Sequence, residues 1–125
     1  MLNNPKVTIT HGTNRKTILV DEFNSTALSC VVANTGVEAD GNGKKIIKAG
    51  TPVTGDLTER NTPFTVDKTG ANPVGVILHD VDVTDGNANS QVVIFGFIDI
   101  SKLDDEVVGI ITTAAPKLTM IKLVK

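Results

Sequence analysis

The sequence has no tryptophan and no tyrosine, and only four phenylalanines in 125 residues. Single-stranded nucleic-acid binders stack bases on aromatic platforms, and carbohydrate sites commonly stack sugars on Trp or Tyr, so both classes start disfavoured. One cysteine, Cys30, rules out an intramolecular disulfide and the paired cysteines of most zinc sites. It lies in the apolar run 27–32 (ALSCVV), where a buried packing role is expected rather than a nucleophile. The two histidines, His11 and His79, stand in no metal-ligand spacing. No apolar run approaches the ~20 residues of a membrane span. Residues 1–20 also lack the apolar stretch of a signal peptide, so a chain made in, and kept in, a reducing cytosol is expected.

What is there is a chain of single-domain length with a core that must come from Val, Ile, Leu and Ala. The charge is unevenly placed. Residues 1–20 hold Lys6, Arg15 and Lys16 and no acid, whereas the remaining nine basic side chains face fourteen acidic ones. A small basic arm on an acidic body is the charge pattern of an interaction tail.

Along the chain, the pattern is mainly that of strands. Residues 6–10 (KVTIT) alternate with a period of two, and residues 17–20 (TILV) form a second thin apolar run after a polar turn at 11–15. Both suit an extended N-terminal arm, taken as residues 1–20, ahead of a body at 21–125. Residues 27–33 read as a strand, 34–43 as a loop, and 44–53 as a strand that runs into a turn at Gly50. Residues 54–73 are mostly loop, with an extended piece at 64–66. The strongest strands are 74–83 and 91–100, and a hairpin joining them is the economical reading. One helix follows. Leu103, Val107, Ile110, Ile111 and Ala114 share a face, Ser101 suits an N-cap, and Pro116 should end the helix near Ala114 or Ala115. Residues 118–124 close the chain as a strand.

The stretch 79–90 (HDVDVTDGNANS) invites a calcium reading, which its spacing refuses. Counting from Asp80, the position that needs glycine holds Asp85, and the one that needs glutamate holds Gln91. Strand alternation explains it better, with Asp80 and Asp82 on a wet face, Val81 and Val83 on the other, and Asp85-Gly-Asn as turn chemistry. Residues 39–45 (ADGNGKK) resemble a phosphate loop only in their glycines, since Glu38 and Lys45 stand where Gly and Ser or Thr are needed. No nucleophile-elbow motif is present. No catalytic, cofactor-binding or metal-binding residues are therefore assigned, and an enzyme is not expected.

Three stretches carry a likeness that composition does not. Residues 48–53 (KAGTPV), 73–86 (PVGVILHDVDVTDG) and 92–98 (VVIFGFI) resemble, in order and spacing, bacteriophage head-decoration proteins, both the lambda-like ones and the head-fibre bases of phages of Gram-positive hosts. The resemblance covers about residues 44–103. It implies a mainly β fold of the β-clip or β-tulip kind, here with one short C-terminal helix and the N-terminal arm. It further implies a homotrimer on the outer surface of a virion, a major capsid protein as partner, no cofactor, and no nucleic acid or membrane. Lambda-like relatives pair an N-terminal arm with a capsid strand. By position and composition that role falls here on Lys6, Val7, Thr8, Ile9, Thr10, Arg15 and Lys16. The alternatives are a head-fibre base or another non-enzymatic virion protein and, from a different class, a small-ligand or carbohydrate-binding β module.

Overall fold

A computed structural model describes residues 17–125. The domain is mainly β, as expected. Its strands are β1 (Thr26–Val32), β2 (Ile46–Ile47), β3 (Pro52–Thr54), β4 (Thr65–Val66), β5 (Gly75–Ile77), β6 (Val81–Asp82), β7 (Ala88–Asp99) and β8 (Ile121–Val124). One helix, α1 (Asp105–Ala114), lies between β7 and β8. Six strands form one sheet in the order β1-β7-β5-β3-β4, with β8 also on β7, and β2 and β6 form a separate ribbon. All pairs are antiparallel except β7 with β8. Parallel neighbours need a crossover, and α1 supplies it.

Strand β7 is the spine. Along one edge it pairs with Leu19 and then with β1; along the other it pairs with β5 and then with β8. The β5–β7 ladder places Val76 opposite Val93 and Ile77 opposite Val92. The first pair sits in a core beneath α1, with Ile98, Val107, Ile111 and Ala114. The second sits in a core on the other face, with Val53, Phe64, Val81 and Val83. Adjacent residues can all be buried because both faces of the sheet are covered here. Gly75 is forced by the close approach of these strands: a Cβ there would lie 2.5 Å from the carbonyl oxygen of Val93.

A β-bulge interrupts this regularity. Thr26 pairs with Phe95 and Ala27 with Val93, so Ile94 has no opposite residue on β1. The extra residue reverses which side chains face the helix. Val93 and Ile98 both enter the α1-side core, although residues five apart on an unbroken strand point to opposite faces. Gly96, just past the bulge, has φ +142° and faces Ser25, whose Cβ would be 3.0 Å from an added methyl. Both facts favour glycine at that position.

Several sequence expectations need correction. The hairpin between residues 74–83 and 91–100 is real only as far as Leu78, whose N–H donates to Gln91. Beyond it, the Asp80 carboxylate accepts the N–H of Ala49, and Val81–Asp82 pairs with β2 instead. Burial of Val81 and Val83 draws the segment there, while Asp80 and Asp82 remain exposed as their alternation required. The strand expected over 44–53 divides into β2 and β3 around the turn in which Thr51 bonds to the Lys48 carbonyl. Ser101 does not cap the helix; it donates its N–H and hydroxyl to Asp99 in a 3-10 turn, and Asp104 occupies the N-cap position. Pro116 does end the helix, within the 3-10 turn that follows Ala114.

Residues 17–20 also move from the arm to the body. Ile18 and Leu19 are buried in the α1-side core. The Val20 N–H donates to Phe97, and the Asp99 N–H donates to Ile18, which locks Leu19 opposite Ile98. Two branched aliphatic side chains beside an open core gain more by burial than as part of a solvated arm.

On α1, Val107, Ile111 and Ala114 are buried, whereas Ile110, expected to be buried with them, is only half-buried at the lip of a cleft. Ile111→Ala should therefore cost about 2–5 kcal/mol in denaturant unfolding, and Ile110→Ala clearly less. Equal costs would mean that the two positions share one environment.

Candidate interaction surface

The acidic side chains are the first candidates for chemistry, and the structure engages them in turns. Asp40 accepts the N–H groups of Asn42 and Lys44, Asp56 the backbone N–H and the hydroxyl of Thr58, Asp82 the Thr84 N–H, and Asp99 the N–H and hydroxyl of Ser101. These bonds favour the carboxylate form and hold all four groups below the ordinary Asp value. Asp67 is the buried example. Burial pushes its carboxyl up, but the N–H groups of Asn72, Gly70 and Ala71, with the Thr69 hydroxyl, outweigh that and bring it below 3.8. Its loop packs on the C-terminal end of α1, where Lys117 donates to the Ala71 carbonyl. Among the described residues, no group of three or more His, Cys, Asp or Glu side chains is placed to hold a metal ion. Cys30 is buried, its thiol pushed up by desolvation and only partly drawn back by Arg60, and it packs as expected.

A cleft of about 300 Å³ opens between α1, the 37–48 segment and β4. Its floor is apolar, with Val66 and Val107, Ile110 stands at its lip, and its rim carries three lysines and three acids. Those charges are partly satisfied within the protein: Asp40 turns into its own loop, and Lys48 pairs with Asp104 at 3.3 Å. An exposed pair of this kind contributes little stability. The cleft presents no nucleophile beside a base, and its charges do not converge on one point.

The residues assigned to capsid binding, Lys6, Val7, Thr8, Ile9, Thr10, Arg15 and Lys16, lie outside the described residues. The structure does describe the root from which they extend, residues 17–20, strand-paired to β7.

Beside that root is a surface which the sequence did not single out. Every large hydrophobic side chain that is exposed among the described residues is Val20, Phe23, Phe95, Phe97, Met120 or Val124. Strand register brings five of them onto one face. Val20 is beside Phe97 across the Val20–Phe97 hydrogen bond. Phe97 neighbours Lys122 on β8, Asp99 neighbours Val124, and Phe95 lies level with Met120, whose carbonyl accepts the Gly96 N–H. Phe23 sits on the turn packed beside Gly96 and is 97% exposed. Three of the four phenylalanines thus face solvent; only Phe64 is buried. An unbroken two-residue period would have placed Phe95 and Phe97 with the buried Val93, so the bulge at Ile94 concealed this face.

Compared with known proteins, the chain matches no family model and no curated sequence. Its described surface therefore has to be read on its own chemistry.

Two outcomes follow from the carboxylate geometry. Calcium should give no heat of tight binding and no rise in melting temperature, because Asp80 and Asp82 serve separate backbone partners; a clear rise in calorimetry would overturn this assignment. Asp67→Asn should cost roughly 1.5–3 kcal/mol at neutral pH by weakening bonds to a charged acceptor. Since the folded-state pKa of Asp67 lies below the unfolded one, its stabilisation is present above about pH 4 and lost as pH falls through the folded value. The variant should accordingly lose less melting temperature than the parent between about pH 5 and pH 2. Parallel pH profiles would show that Asp67 does not carry this effect.

Proposed function

We propose that the protein is a capsid decoration protein, which binds the outer surface of a phage head as a trimer and stabilises the expanded shell. The observation that carries this reading is the anchored root. Ile18 and Leu19 are built into the core, and Leu19 is already in strand register with Ile98. The basic, strand-patterned residues 1–16 are thereby tethered to one point of a β-rich body. The three stretches that resemble phage decoration proteins point the same way.

Physically, such a protein acts by clamping rather than by chemistry. An expanded shell resists outward pressure better when neighbouring subunits are bridged. Sixteen residues can span at most roughly 55 Å, enough to reach beyond the footprint of the body. A strand added to an exposed edge supplies backbone hydrogen bonds, with Val7 and Ile9 on one side of the strand. Lys6, Arg15 and Lys16 would steer the arm towards an acidic surface. Three linked copies convert weak individual docking into avidity.

Deleting residues 2–16 should leave the fold and melting temperature intact while largely abolishing co-sedimentation with purified expanded capsids. Ile9→Pro should act in the same direction, since it removes a backbone donor. Deleting residues 2–20 removes Ile18 and Leu19 as well and should destabilise the body itself. Undiminished capsid binding by the 2–16 deletion would exclude the arm as the anchor.

A further inference from the structure

We infer that the apolar face formed by Val20, Phe95, Phe97, Met120 and Val124, with Phe23 at its margin, is where one copy of this chain packs against another. This deepens the decoration reading by assigning the self-association it calls for to particular residues, and it rests on that reading for its biological setting only.

Four observations select a second copy as the occupant. The first is collection: no large hydrophobic side chain is exposed anywhere else among the described residues. Scattered exposed apolar residues are ordinary, but a contiguous group is not. Taking a fully exposed aromatic side chain as roughly 150–250 Å², the six leave on the order of 600 Å² uncovered. That approaches the roughly 800 Å² that each partner contributes to a standard interface.

The second observation is composition. Two phenylalanines and a methionine dominate the face, and Lys122 is the one charged side chain in its interior, next to Phe97. Aromatic and methionine enrichment with charge depletion at the centre marks protein–protein interfaces, and those between identical subunits are the more apolar. Lys122 can lay its apolar stem along Phe97 and carry its ammonium to the margin. The third is charge. Outside residues 1–20 the chain has nine basic and fourteen acidic side chains. Two acidic bodies approach best where acids are few: the face has Asp99 at its β7 end, with its carboxylate engaged by Ser101, and Asp21 and Glu22 only at the Phe23 margin, where Asp21 accepts the Phe23 N–H.

The fourth is the strand edge. β8 pairs with β7 on one side, and no described strand pairs with its other side. Its unpaired N–H and C=O groups lie along the same border as Met120 and Val124. An edge of this kind, flanked by apolar side chains, is a template for pairing with another chain. Covering the face with a copy satisfies edge and side chains together, as soon as the chain is made. A surface kept for a different macromolecule would leave both exposed until that partner was met.

Sedimentation equilibrium of the full chain, without capsids, tests this. The parent should run as a multiple of 13.2 kDa. Phe97→Glu and Met120→Glu should each weaken self-association by about 30-fold or more, as expected for central contacts. Circular dichroism and melting should be unchanged, since both side chains point away from the cores. Glu59→Lys, on an exposed turn remote from the face, should assemble like the parent. If Phe97→Glu fails to fold, the more exposed Met120 decides the matter alone. A monomeric parent, or a Met120→Glu variant that assembles normally, would overturn the inference. So would variants that stay assembled but lose capsid binding, because the face would then belong to the shell. Loss of capsid binding by the 2–16 deletion with assembly intact would support both readings. Intact assembly in a parent that never binds capsids would defeat the decoration reading alone.

Discussion

The pairing of β5 with β7 is the constraint on which the rest of this structure depends. Two adjacent residue pairs, Val76 with Val93 and Ile77 with Val92, fill two different cores, the first pair the one beneath α1 and the second the one on the opposite face. The ladder thus joins the layer beneath α1 to the layer beneath the β2–β6 ribbon. The twelve residues of β7 then provide edges for β1, β8 and the Leu19 segment, so every later element is positioned relative to this one strand. A core of valine and isoleucine suits the task, since branched side chains pack on a pleated surface covered on both faces.

Around that spine the polar residues organise loops. Among the described residues, six aspartates bind donors within their own turns, and Asp80 ties the 78–83 segment to Ala49. A chain with short strands and long connections needs partners for its many unpaired backbone N–H groups, and a local carboxylate provides them. The acidic character of the body is in this sense architectural.

The arm root and the apolar face meet at one place. Leu19 points into the core and Val20 into the exposed face, on consecutive residues of the same strand-paired segment. Burial of that face between copies, as proposed, would hold residues 17–20 of each copy at fixed positions. Assembly and attachment would then be coupled through two neighbouring residues.

The sequence by itself determined much of this. Its alternation and turn residues located β1, β7 and β8. The 3.6-residue stripe located the helix and the burial of Val107, Ile111 and Ala114. The failed ligand spacing at 80–91 argued against a calcium loop from the residues alone. Such features are local, because they depend on backbone periodicity and on residues within a few positions of one another. Only the tertiary structure could decide the rest. The departure of Val81–Asp82 to β2 depends on Asp80 reaching Ala49, a residue 31 positions away. The recruitment of Ile18 and Leu19 depends on an open edge of β7, distant in sequence. The apolar face depends on a single unpaired residue, Ile94, which reverses the alternation only because β1 lies opposite it. A period can be read along one strand, but a bulge exists only between two.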